Sequence, residues 1–133
     1  MIKKIEHIGI AVKNINSSTS LFEKLLGNKP YKIEKVDSEG VNTTFFGLSD
    51  QKIELLSSIA KYSVIEKFLE SKKEGIHHIA FLVDSLEFEI NRLESLGFQF
   101  ISKTPKKGAD NKKIVFLHPK STNGVLVELC EER

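Results

Sequence analysis

Residues 5–12 return in modified form at 76–83. Ile5-Glu6-His7-Ile8-Gly9-Ile10-Ala11-Val12 matches Ile76-His77-His78-Ile79-Ala80-Phe81-Leu82-Val83, at an offset of 78 − 7 = 71 residues. A chain that repeats itself is built from copies of one unit, and that limits its folds more than any local propensity does. Each copy continues through a polar turn into a helical stretch that ends in Leu-Gly. The first stretch is Leu21-Phe22-Glu23-Lys24-Leu25-Leu26-Gly27. The second places Leu86, Ile90, Leu93 and Leu96 before Gly97. Apolar residues three and four apart mark a buried helix face. The glycine suits a left-handed cap. Each copy then closes on an apolar strand with one glutamate, Lys52-Ile53-Glu54-Leu55-Leu56 and Val125-Leu126-Val127-Glu128-Leu129. Here the offset is 128 − 54 = 74, so a short insertion separates the copies.

Each module therefore reads as a strand, a helix and about three strands, with further strands at 41–48 and 113–118. A helical crossover lets the first strand lie beside later ones without a tight hairpin. Two such modules, about 1–60 and 75–133, make one domain of curved sheet. They are joined by a helix at 63–71 that opens on a capping box, Ser63 to Glu66. Lys72-Lys73-Glu74-Gly75 is the linker after it.

Composition excludes several classes. Twenty basic and 18 acidic residues give a net charge of +2, too balanced for a nucleic-acid binder. The apolar runs are strand-sized, so none spans a membrane. The start, Met1-Ile-Lys-Lys, lacks the apolar core of a signal peptide, and a cytoplasmic address follows by elimination. The single cysteine, Cys130, excludes an internal disulfide and reads as a strand residue rather than a nucleophile.

Strand alternation groups the polar residues. His7, Gly9 and Ala11 share one face, and Ile8, Ile10 and Val12 the other. His78 and Ala80 likewise oppose Ile79, Phe81 and Val83. The bulky faces should pack on the helices, leaving the histidine faces, lined by small residues, open to a ligand. Glu54 and Glu128 each sit between apolar neighbours, where an unpaired carboxylate costs several kcal/mol to bury. A lone strand histidine or glutamate is usually structural. Recurrence of His7/His78 and Glu54/Glu128 at matched places in both copies points instead to four converging metal ligands. Nitrogen and oxygen donors suit cobalt, nickel, zinc or manganese. His77, which has Glu6 as its counterpart, should point away from the site.

With these residues in view, the chain resembles the methylmalonyl-CoA epimerases of the vicinal-oxygen-chelate superfamily over nearly its whole length. The resemblance rests on His7–Val12, Glu39-Gly40-Val41, Lys52–Leu56, Glu74–Phe81, Phe116–Ser121 and Gly124–Leu129. It is most specific at Gly-Ile-His-His-Ile-Ala-Phe and His-Pro-Lys-Ser. It implies an α+β fold of two paired βαβββ modules, whose curved mixed sheet surrounds a metal cavity. It also implies a divalent ion, often cobalt, on His7, Glu54, His78 and Glu128, and a homodimer. The implied reaction interconverts the epimers of methylmalonyl-CoA by C2 proton abstraction, through a metal-stabilised enolate. Glu128 is then the first base and Glu54 its counterpart for the opposite face. Some relatives carry a further glutamate just after the Glu-Gly-Val turn, where this chain has Thr43. His118 and Lys120 become candidate substrate residues. Lys106, Lys107, Lys112, Lys113 and Lys120 cluster where the phosphates of an acyl-CoA need guidance, although a solvated loop explains such lysines as well. No organic cofactor is implied. The same four ligands also fit glyoxalase I, a metal-free binding protein of the same fold would not need them, and an extradiol dioxygenase would use only three.

Overall fold

The computed structural model describes all 133 residues. The element order repeats as the sequence demands. The first copy is β1 (Ile2–Ala11), α1 (Ile15–Leu26), β2 (Lys32–Val36), β3 (Val41–Leu48) and β4 (Gln51–Ser58). After α2 (Val64–Lys72) the second copy runs through β5 (Gly75–Val83), α3 (Leu86–Ser95), β6 (Lys106–Lys107), β7 (Lys112–Leu117) and β8 (Val127–Glu132). Strands at 41–48 and 113–118 are thus β3 and β7, the latter one residue earlier than expected. The class is α+β. No helix is long and apolar enough to cross a membrane.

Two compact units divide the chain. One is Ile8–His77, and the other is Met1–His7 with His78–Arg133. In the Ile8–His77 unit the strand order is β2-β3-β4-β1. β3 is antiparallel to both β2 and β4, and Val12 donates its N–H to the Leu56 carbonyl at 2.9 Å. Asn14 starts α1 by accepting from the Ser17 N–H at 3.0 Å, which satisfies one of the orphan donors of the first turn. Gly27 ends it at φ 71°, the left-handed cap that a side chain would strain. The apolar stripe of α1, Ile15, Phe22 and Leu26, packs on Val12, Phe46 and Leu55. Burial of side chains this size contributes about 1.5–3 kcal/mol each. The opposite sheet face holds Ala11, Val41 and Leu56 under Ile65, Phe68 and Leu69 of α2. The start of α2 departs from a reciprocal capping box. Ser63 accepts from the Ile65 N–H at 3.1 Å, while Glu66 turns away to accept from the Ser58 hydroxyl at 3.0 Å.

In the second unit the order is β1-β5-β8-β7-β6. The Asp84 N–H donates to the Met1 carbonyl at 3.2 Å. β5 and β8 are parallel, with Ala80 opposite Glu128, and β7 runs antiparallel to β8 with Phe116 opposite Glu128. A parallel pair requires a long crossover, and α3 with the β6–β7 hairpin supplies it. The hairpin turns through residues 109–111, with Asp110 and Asn111 both left-handed at φ 55° and 59°. Leu86, Ile90 and Leu93 of α3 pack on Val83, Val115, Leu117 and Leu129. Both histidine-bearing strands therefore turn their bulky faces to a helix and their histidines to the other face.

Candidate metal centre

The second unit brings three of the four expected ligands together. Ala80 lies beside Glu128, and Glu128 beside Phe116, so these residues and His78, two positions before Ala80, share one sheet face. His7, His78 and Glu128 are each 4–5% exposed. The two Nε2 atoms approach to 3.0 Å with the rings nearly perpendicular, at 86°. Glu128 turns Oε1 to His78 Nε2 at 3.4 Å and Oε2 to His7 Nε2 at 3.8 Å.

These separations fit a divalent ion. Donors about 2.1 Å from one ion lie about 3.0 Å apart at a right angle and about 3.4 Å apart at the tetrahedral angle. The 3.8 Å contact closes with a small swing of the carboxylate. Two neutral imidazoles and a carboxylate are also the donor types that such an ion prefers. The cluster could thus hold a metal ion.

One residue escaped the sequence reading. Alternation puts Glu6 on the face opposite His7, yet Glu6 is 3% exposed and its Oε1 lies 2.7 Å from His7 Nδ1. A carboxylate there accepts the Nδ1 proton and leaves Nε2 with its lone pair directed at the cluster. His77, at the matched place in the second copy, behaves differently. It meets Phe68 edge-on at 4.9 Å, and burial pushes its pKa down to about 4.

Phe116 forms a wall against His78, ring edge to face, with centroids 6.0 Å apart. The Lys106 ammonium sits over that same ring at 6.0 Å, which puts one lysine of the expected basic cluster on the ring that lines His78. His118 caps the 3-10 turn Pro119–Ser121, its Nδ1 accepting from the Lys120 N–H at 3.1 Å, and its carbonyl accepts from the Ser121 hydroxyl at 2.9 Å. The Lys120 side chain is exposed. Cys130 is buried, its thiol directed to the Phe81 carbonyl.

Glu54 belongs to the Ile8–His77 unit. It is 4% exposed and lies opposite Phe45, on the strand face away from Ile53 and Leu55, which pack under α1. Thr43 occupies the same face, across from Leu56. It is fully buried, and its hydroxyl has no hydrogen-bond partner.

Comparison with known proteins identifies the family. Residues 6–116 match the model of the glyoxalase/bleomycin resistance protein/dioxygenase superfamily. The mitochondrial methylmalonyl-CoA epimerase of Dictyostelium discoideum is 42% identical over 132 residues, which cover 98% of this chain and 80% of that protein. The ethylmalonyl-CoA/methylmalonyl-CoA epimerase of Cereibacter sphaeroides is 37% identical, over 97% of this chain and 98% of the relative. The crystal structure of methylmalonyl-CoA epimerase from Mycobacterium tuberculosis superposes with a TM-score of 0.94 at 31% identity, covering 99% of this chain and 89% of that one. Matched over nearly its full length in sequence and in structure, the chain belongs to the glyoxalase/bleomycin resistance protein/dioxygenase superfamily and, within it, to the family of the methylmalonyl-CoA epimerases.

Proposed function

We propose that the protein is a metal-dependent methylmalonyl-CoA epimerase, with one divalent ion held by His7, Glu54, His78 and Glu128. The observation that carries this reading is the convergence of the two Nε2 atoms and the Glu128 carboxylate, all buried and none farther than 3.8 Å from its neighbours. Glu54 enters because it is the buried counterpart of Glu128 in the repeat and is a ligand-type residue like the histidines. Cobalt is the ion that the family resemblance favours, with nickel, manganese and zinc compatible with the same donors. An ion bound there supplies Lewis acidity, which favours negative charge developing on a carbonyl oxygen of the substrate.

The rest of the chemistry falls to side chains. The C2 hydrogen of methylmalonyl-CoA lies between a thioester and a carboxylate and is acidic. Glu128 accepts that proton. The C–H electron pair moves toward the thioester oxygen as an enolate. Glu54 in its acid form delivers a proton to the opposite face of C2, and the centre is inverted. Threonine is too weak an acid or base for this task near neutral pH, so Thr43 is not the second proton carrier. The Phe116 wall excludes water from one side of His78, and Lys106 above it attracts an anionic substrate. A positioned general base contributes about 10²–10⁴-fold in rate.

The distinguishing experiment gives the cobalt-loaded protein two substrates, methylmalonyl-CoA and the hemithioacetal of glutathione. Turnover of the acyl-CoA alone is expected. Turnover of the hemithioacetal alone replaces the epimerase by a glyoxalase with the same ligands.

A further inference from the structure

We infer that Glu6 is a positioning residue for the metal centre, setting the orientation and donor strength of His7. Glu6 lies outside the expected ligand set, and its neighbour in sequence is the ligand. Glu6 is 3% exposed, and burying a carboxylate is costly unless it is paired. Its Oε1 is 2.7 Å from His7 Nδ1, the length of a charge-assisted hydrogen bond. That bond has two consequences for His7. It holds the proton on Nδ1, so Nε2 is the donor, and it locks the ring so that Nε2 meets His78 Nε2 at 3.0 Å. A carboxylate behind an imidazole also strengthens the imidazole as a ligand, and losing such a partner typically weakens metal binding about 10–100-fold.

The repeat sharpens the inference. The matched position beside His78 is His77, which packs against Phe68, while His78 has the Phe116 ring at its side. The two copies differ at this place, Glu6 against His77, so the pseudo-symmetric histidines sit in unlike surroundings. His7 has the Glu6 carboxylate on its Nδ1.

The inference rests on the metal-centre reading above, and its test separates the two. Cobalt(II) is titrated into the wild-type chain, Glu6→Gln and Glu6→Leu, with affinity measured by competition with a chelator and the visible absorption of bound cobalt recorded. Thermal unfolding of each metal-free variant checks that it is folded. Glu6→Leu should bind cobalt about 10–100-fold more weakly, with a changed absorption spectrum. Glu6→Gln keeps an acceptor for the Nδ1 proton without the charge, so it should fall between the two and retain more of the wild-type spectrum. It also provides the answer should Glu6→Leu not fold. Wild-type affinity and spectrum in Glu6→Gln and in every folded Glu6→Leu sample overturn the inference while leaving the metal centre standing. A wild-type chain that binds no cobalt removes the centre and the inference together.

Discussion

Replacing Glu128 by glutamine separates its two roles, because the swap preserves shape and an oxygen donor while removing the base. The carboxylate is 5% exposed and lies 3.4 Å and 3.8 Å from two imidazole nitrogens. A buried carboxylate costs free energy to desolvate, and a bound divalent ion would offset that cost more strongly than imidazoles do. Metal-free Glu128→Gln should therefore be as stable as wild type or more so, by about 0–2 kcal/mol, which at this chain length raises Tm by up to about 8 °C. With metal the order reverses. An ion at a hundredfold excess over its Kd adds about 2.7 kcal/mol to the native state, and the neutral amide should capture less of that at the same cobalt concentration. Catalysis should fall about 10²–10⁴-fold, equivalent to about 3–5 kcal/mol of barrier. The assays are thermal unfolding with chelator and with cobalt, and epimerisation of methylmalonyl-CoA by the loaded variant. Glu128→Gln that holds cobalt and turns over at the wild-type rate refutes Glu128 as base. A strongly destabilised metal-free variant refutes the electrostatic account of the centre.

Two further predictions concern the scaffold that carries the site. Leu129 is 1% exposed and packs with α3 and β7, so Leu129→Ala should cost about 2–5 kcal/mol in urea unfolding and loosen the strand that positions Glu128. Glu89, fully buried on α3, should contribute to the acid side of the stability curve. Burial alone would raise its carboxyl pKa, but hydrogen bonds and charge from Arg92, 2.7 Å away, and from the N-terminal ammonium, 2.9 Å away, hold it below the ordinary carboxylate value. A lowered folded pKa contributes stability above the unfolded value of about 4.5 and loses it as pH falls through the folded one. Glu89→Gln should therefore lower Tm at neutral pH and flatten its decline below that value.

The strands that carry the histidines and Glu128 were legible because duplication wrote them twice. Alternation around His7, His78 and Glu128 then assigned the right faces, and the structure packs Ile10 and Val12 on α1 and Phe81 and Val83 on α3 as that alternation requires. Glu6 was not legible. Alternation fixes only the direction of Cβ, and a glutamate has enough torsions to reach back to the ring of its neighbour. The capping box at Ser63 failed for a related reason, since Ser58 offered Glu66 a better partner than the helix start did. β6 is two residues long, too short to carry a periodic signal, and only its pairing with Ile114 and Lys113 on β7 defines it. The role of Lys106 depended on knowing which ring lies beneath its ammonium, and no spacing in the sequence supplies that.

The most direct test of the account is proton exchange at C2 of methylmalonyl-CoA in deuterated water, run with the cobalt-loaded chain and again after chelation. A centre that joins Glu128 to a Lewis acid predicts rapid incorporation of deuterium at C2 together with interconversion of the epimers, both lost on chelation and both restored by cobalt. A cobalt-loaded chain that leaves the C2 proton in place contradicts the epimerase, and exchange that proceeds unchanged after the metal is stripped contradicts the metal's part in it.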